Sequence, residues 1–411
     1  MDRKLSQSYL ENLKRQTLKS DSPFFFYDLD FLVGHLKEME DSIDKDITLW
    51  YACKANPMSA ILKIFRNRGF GIDVASFGEL DQAMRSGIKA NNIISTGPAK
   101  SKEYLNYFTD CGVGTIVIES INQLDTLNRI GKSKGEKIKG LLRVQLEWGE
   151  GSSVLGGNDI TPFGIGEADW KEVSIIDYEY VDIIGLHAFQ WGNLLEVSKL
   201  EEIWDETCKR LKSFANEMSI KLEVMDLGGG IGIPYDLTSA PINFKDLAVI
   251  LRKLKDKYDL PKIWLELGRF AVGSCGHYFA KIIDIKKIRG KNIVVLNGGI
   301  NHLARPALTN QPFPAEVFDS KNGVIHTEKS DDLVEYSIHG PLCTALDHLG
   351  TMNLNKNIKV GQWIVFHQSG AYGFTEAMPF FLCHDLPGEF IYYNGDFMEP
   401  RTPKTSADWM I

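Results

Sequence analysis

The 411-residue chain reads as an α/β protein: a (β/α)8 TIM-type barrel followed by a C-terminal β-sandwich or β-barrel domain. Three observations predict this. Eight apolar, β-branched-rich runs of strand length recur before Val272, helix-like stretches separate them, and after Val272 strands continue with mostly loops between them.

The eight runs are ITLWYACKA (from Ile47), GIDVAS (Gly71), NIISTG (Asn92), TIVIES (Thr115), GLLRVQL (Gly140), VDIIGLHA (Val181), LEVMDLGGG (Leu222) and IWLELG (Ile263). Each is nearly continuously apolar, as parallel strands covered on both faces must be. ASFGELDQAMRSG, NQLDTLNRIGKSKG and LEEIWDETCKRLKSFANEM carry apolar positions at helical spacing with Gly or Asn near their ends. FAKIIDIKKI, NIVVLNGG, LVEYSIHG, QWIVFHQSG and EFIYYNGD supply the later strands, and FFFYDLD, near residue 24, can join them. The expected organisation is residues 1–30 joining the β domain, 31–272 the barrel and 273–411 the β domain. GEGSSVLGGND (Gly149–Asp159) is the most loop-like stretch of the barrel, and the tail MEPRTPKTSADWMI reads as surface.

A net charge of -8, with no basic block, argues against nucleic acid as a partner. No run approaches the roughly 18 consecutive apolar residues of a membrane span, and the N-terminus is polar and helix-like, so the expected location is the cytoplasm. The six cysteines are scattered, with no grouping at metal-ligand spacing, and no metal site is expected.

Chemistry in such a barrel sits at the C-terminal ends of the strands. Lys54, Asp73, Thr96, Glu119, Arg143, His187, Gly228 to Gly230 and Glu266 all fall there. Lys54 ends the first strand, where desolvation would lower its basicity and make the amine a usable nucleophile. DLGGGIGIP (Asp226–Pro234) offers bare backbone N–H groups to a phosphate, and ELGRF (Glu266–Phe270) adds a carboxylate, a glycine and an arginine at the adjacent strand. An amine, a phosphate cradle and a carboxylate in one mouth together describe a pyridoxal phosphate site.

YACKANP, GIDVASFGEL, GLHAF, DLGGGIGIP, ELGR, GPLCTALD and GAYG stand in the order found in the ornithine/diaminopimelate decarboxylase family, pyridoxal-phosphate enzymes on an alanine-racemase-like barrel. The chain resembles that family over nearly its whole length. The resemblance implies that Lys54 forms the internal aldimine, Glu266 pairs with the pyridine nitrogen, and Gly228, Gly229, Gly230, Gly268, Arg269 and Tyr372 hold the phosphate, with Asp73 among the cofactor-binding residues. It further implies a homodimer with shared sites, in which the neighbouring subunit contributes Cys343, the acid that returns a proton to Cα, and Asp347. An acid at the Glu266 position favours decarboxylation, whereas alanine racemases of similar fold carry an arginine there.

The departures bear on specificity. Where relatives stack a histidine on the cofactor ring this chain has Phe189, so either Phe189 stacks or His187 substitutes, and His187 is also a candidate catalytic residue. Trp191-Gly192-Asn193 stands where relatives have glycine-serine, and Leu267 stands where EPGR is usual. Thr344 follows Cys343 where relatives carry an acid that pairs with the substrate's distal ammonium. A buried ammonium without a counter-charge is costly, so losing the acid implies losing that ammonium. Arg305, in NHLARPAL, matches an arginine that grips a substrate carboxylate in diaminopimelate decarboxylases. With the PFFLCHDLPGEF region, these features resemble decarboxylases of specialised pathways, acting on carrier-tethered glutamyl groups or on amino acids joined to citrate in siderophore assembly. The expected reaction is therefore loss of the α-carboxylate from an amino acid with a distal carboxylate or acyl conjugate. The alternatives are diaminopimelate decarboxylase of lysine biosynthesis and a non-catalytic relative that binds a protein partner. Intact Lys54, Glu266, Arg269 and Cys343 speak against the latter.

Overall fold

The structure is a computed structural model that describes residues 7–148, 159–236, 239–321, 324–326 and 332–409. Gly149 to Asn158 of the loop-like barrel stretch lie outside the described residues. The chain divides into two compact units, one of residues 35–233 and 241–271, the other of 1–34, 234–240 and 272–411.

Strand β1 (Phe24–Asp28) belongs to the second unit. The first unit holds β2 (Ile47–Ala52), β3 (Gly71–Val74), β4 (Ile93–Ser95), β5 (Thr115–Ile118), β6 (Ile138–Gln145), β7 (Ile165–Gly166), β8 (Val181–His187), β9 (Val224–Asp226) and β10 (Ile263–Leu267). Parallel pairings run β2-β3-β4-β5-β6-β8-β9-β10, and β10 returns to β2 through Leu265↔Leu49, closing an eight-stranded barrel. Short β7 pairs only with β6 and stands outside the ring. Each predicted barrel run supplies one of these strands. Ring closure explains their composition, since β3, β4 and β5 are buried at every residue.

Local chemistry sets the helices that return the chain to the next strand. Ser76 accepts a hydrogen bond from Glu79 N (3.1 Å) while the Glu79 carboxylate accepts one from Ala75 N (2.6 Å), which starts the helix Phe77–Arg85 just past β3. Ser120 caps Ile121–Lys134 in the same way, and Gly135, at φ 70°, ends it. Among the described residues no helix is long and apolar enough to cross a membrane.

The other unit is a mixed sheet of ten strands: β1, β11 (Gly276–Ile288), β12 (Lys291–Leu296), β13 (Ala315–Asp319), β14 (Val324–His326), β15 (Leu333–His339), β16 (His348–Asn355), β17 (Trp363–Phe366), β18 (Gly388–Tyr393) and β19 (Asp396–Arg401). It branches at β11, whose first residues pair with β1 and β17 and whose last pair with β12. FFFYDLD does enter this sheet, antiparallel to β11 and parallel to β18. Phe24 stacks on Phe279 at 4.6 Å and meets Phe390 and Trp363 edge-on in the core.

Candidate active site

The barrel unit gathers its predicted residues at the strands' C-terminal ends. Lys54 sits in a 3-10 turn directly after β2, its Nζ 3.9 Å from Asp73 Oδ2. Its side chain is 44% exposed, against the expectation of a desolvated amine. What the barrel gives Lys54 is an acidic neighbour, Asp73. Asp73 is buried and accepts a hydrogen bond from Thr96 Oγ1 at 2.7 Å. Burial, with Glu266 nearby, pushes its carboxyl up to about 7 against the opposing pull of Lys54.

Across the mouth, His187 at the end of β8 and Glu266 on β10 are both buried, with Nε2 3.4 Å from Oε1. Burial works against the Glu266 charge, but His187, Lys54 and Arg143 prevail and hold Glu266 below the usual carboxylate range. Burial pushes His187 down in turn, so Lys54 and Arg143 are the cations that sustain the anion at neutral pH. Asp226, at the end of β9, completes a buried trio whose polar atoms lie within 4.8 Å of one another.

Gly228, Gly229 and Gly230 form the turn after β9. Gly228 has φ +62°, and a Cβ there would lie 2.4 Å from Phe189 Cβ; one on Gly229 would lie 2.3 Å from the Glu266 carbonyl oxygen. The turn is thus wedged between Phe189 and the backbone of β10, a fit open only to glycine. Phe189 is half-buried against this turn, whereas His187 is fully buried beside Glu266. Gly268 and Arg269 follow β10 and open the short helix Arg269–Val272. In the departure Trp191-Gly192-Asn193, Asn193 has φ 56° and accepts a hydrogen bond from Ile233 N (3.2 Å), tying this segment to the chain beyond the glycines.

Three further groups join this set without a role assigned from the sequence. Glu119 pairs with Arg143 (3.2 Å) and with Lys100 (3.5 Å), and accepts a hydrogen bond from Gly164 N (3.2 Å). Arg143 also donates to the Phe189 carbonyl (3.3 Å), linking the network to the segment that packs on the glycine turn. Lys100 is a second amine, 1% exposed and pushed down to about 8 by burial. Glu119 and Arg143 were visible as strand ends; Lys100, in a loop, gave no signal, and Asp226 was hidden beside the glycines.

The β unit holds Arg305, Cys343, Thr344, Asp347 and Tyr372. Cys343 is exposed. Asp347, expected to bind substrate, is held within its own unit. It is buried, and its oxygens accept hydrogen bonds from Ile300 N (2.8 Å) and Leu342 N (2.7 Å), so it shapes the loop carrying Cys343. Arg305, also expected to bind substrate, is paired within its own unit. Nη1 donates to both oxygens of Glu376 at 2.9 Å and the guanidinium lies 4.3 Å from the Tyr372 ring centroid, so its charge is already matched within its own unit. Thr344 Oγ1 accepts a hydrogen bond from Leu346 N (3.2 Å).

Residues 29–273 match the family described as pyridoxal-dependent decarboxylase, pyridoxal binding domain. The chain belongs to the pyridoxal-dependent decarboxylases. It is 30% identical to a 2-[(L-alanin-3-ylcarbamoyl)methyl]-2-hydroxybutanedioate decarboxylase of Staphylococcus aureus over 95% of this chain and 98% of that one. It is 26% identical to the L-glutamyl-[BtrI acyl-carrier protein] decarboxylase of Niallia circulans, over 95% and 94%. A crystal structure of diaminopimelate decarboxylase from Helicobacter pylori complexed with L-lysine has the same fold, with a TM-score of 0.83 over 97% of this chain and 98% of that one at 23% identity.

The enzyme is a carboxy-lyase whose cofactor is pyridoxal phosphate, and the site suits that group. Glu266 Oε1, Asp226 Oδ2 and both His187 ring nitrogens are buried without a hydrogen bond among the described residues, and the glycine turn keeps side chains off its amides.

Proposed function

We propose that the enzyme removes the α-carboxylate from an amino acid whose distal end is an acyl conjugate or carboxylate, a citryl-amino acid of siderophore assembly being the type case. The observation that carries this is Thr344 beside the exposed Cys343, with no acid there to match a distal ammonium. The staphylococcal relative, whose name describes a substrate joining an alaninyl group to a hydroxybutanedioate through a carbamoyl link, supports it. Because Arg305 is already paired with Glu376, a distal carboxylate of the conjugate would meet that arginine as part of the pair.

In this reading Lys54 would hold the cofactor's aldehyde carbon, the amides of Gly228 to Gly230 with Gly268, Arg269 and Tyr372 its phosphate, and ionised Glu266 its pyridine nitrogen. Asp73 stands beside Lys54 as a proton-sharing neighbour, and Phe189, rather than the fully buried His187, faces the ring; His187 backs Glu266. When bound, the cofactor supplies an electron sink for the charge left as CO2 departs. Cys343 then delivers a proton to Cα. The proposal includes a homodimer, in which Cys343 comes from the neighbouring subunit, and a cytoplasmic location, in keeping with six cysteines that stand outside any disulfide.

The test is CO2 release by purified enzyme offered a citryl-conjugated diamino acid, diaminopimelate and ornithine in turn. Turnover of the conjugate with silence toward the free diamino acids is expected. Release from diaminopimelate on the order of 10 per second, a median enzyme's rate, would overturn the proposal in favour of a lysine-pathway enzyme.

A further inference from the structure

Asp226 is fully buried at the end of β9, and Oδ1 accepts a hydrogen bond from Gly228 N at 2.8 Å. Gly228 is held from its other side too, since Glu266 N donates to its carbonyl at 2.7 Å. The two acids thus grip one glycine of the turn. Their carboxylates approach each other, with an oxygen of each within 4.8 Å, and neither Asp226 Oδ2 nor Glu266 Oε1 has a hydrogen bond among the described residues.

Two buried carboxylates this close cannot both stay ionised, because each charge raises the other's cost in a medium that hydrates neither. The surroundings choose between them. Lys54 and Arg143 are the cations acting on Glu266, and His187, within 4.8 Å of both acids, is pushed toward its neutral form by burial; the leading charges acting on Asp226 are Glu266 and Asp73, both acids. We infer that Asp226 carries the proton on Oδ2 and donates it to Glu266, which makes it a positioning residue locking the ring-facing acid to the glycine turn. Burial and the neighbouring acids raise Asp226 well above the usual carboxylate range, in agreement. One neutral acid then aligns both anchors of the cofactor: it fixes Gly228 by accepting from its amide and Glu266 by donating to its carboxylate. The inference rests on the family's cofactor and is independent of the substrate proposed above.

Asp226→Asn tests it, because an amide reproduces both hydrogen bonds, accepting through its oxygen and donating through its nitrogen, while it cannot carry a negative charge. Pyridoxal phosphate is titrated into the apoenzymes of the parent, Asp226→Asn and Asp226→Ala and followed by quenching of tryptophan fluorescence. Asn is expected to hold the cofactor within about threefold of the parent, and Ala to weaken it roughly ten- to a hundredfold, the worth of a hydrogen bond to a charged group. Asn failing as badly as Ala, or Ala binding like the parent, overturns the inference. An infrared difference spectrum, parent minus Asp226→Asn, reads the proton without cofactor or substrate and serves even where Ala does not fold. The carbonyl stretch of a protonated carboxylic acid at neutral pH is expected, and carboxylate bands alone overturn it.

Discussion

Gly228→Ala perturbs the glycine turn proposed to cradle the cofactor at the residue where a positive φ and a close contact coincide. An alanine there keeps φ near +62°, a left-handed conformation that costs an L residue roughly 1–2 kcal/mol, and its Cβ meets Phe189 Cβ at 2.4 Å, far inside contact distance. Overpacking of this kind costs about 1–3 kcal/mol, so the turn as built is penalised by about 2–5 kcal/mol in all. If the turn rearranges to relieve the strain, the loss appears in cofactor affinity instead, as roughly thirtyfold to a few thousandfold. Gly112→Ala is the internal control. Its φ is +76° and its Cβ would meet nothing within 4 Å, so it pays the backbone strain alone. The assay is the urea midpoint of each apoenzyme together with fluorescence titration of pyridoxal phosphate. Gly112→Ala is expected to lose a little stability and no cofactor affinity. A Gly228→Ala enzyme that binds cofactor like the parent and unfolds no earlier than Gly112→Ala would refute the wedged-turn reasoning.

Thr344→Asp restores an acid beside Cys343 and is expected to raise turnover of ornithine or diaminopimelate relative to the conjugate by about tenfold, read as a ratio of kcat/KM values; an unchanged ratio would remove Thr344 from specificity. Glu376→Gln leaves Arg305 with an unmatched charge in a largely buried place; thermal melting should show a loss on the order of 1 kcal/mol, modest because Glu376 is partly exposed, and inhibition by free dicarboxylates should strengthen. Asp73 has a folded-state pKa raised to about 7, so its contribution is fully present below the unfolded value near 4 and is lost as pH rises toward 7. Asp73→Asn should therefore flatten that part of the stability profile of the apoenzyme, measured by urea unfolding from pH 4 to 8, and a profile as steep as the parent's would contradict the assignment.

The eight barrel strands were legible because a parallel strand covered on both faces must be apolar throughout. The β unit was legible in part. Five later strands and β1 announced themselves, while β13, β14, β16 and β19 did not: β14 has only three residues, β16 is broken by Gly350 and two asparagines, and β19 carries Pro400 on an almost wholly exposed edge. At the site, Lys54, Glu266 and the glycines could be found from strand ends and local composition. Arg305 was found as a residue but not in its circumstances, because Glu376, 71 positions away, sets its charge balance. Asp347 likewise turned on backbone amides of Ile300 and Leu342 that no spacing rule brings together. Asp226 and Lys100 were missed for the same reason: their chemistry comes from buried neighbours on other strands.

The central claim is that this barrel holds its cofactor on Lys54 to remove a carboxylate, and Lys100 supplies a competing buried amine in the same mouth. Borohydride reduction of the pyridoxal-phosphate-loaded enzyme, followed by proteolysis and mass spectrometry, reports which lysine bears the phosphopyridoxyl group. Modification of Lys54 alone, with loss of CO2 release, is the predicted result; a label on Lys100, or an unlabelled Lys54 in active enzyme, would contradict the account.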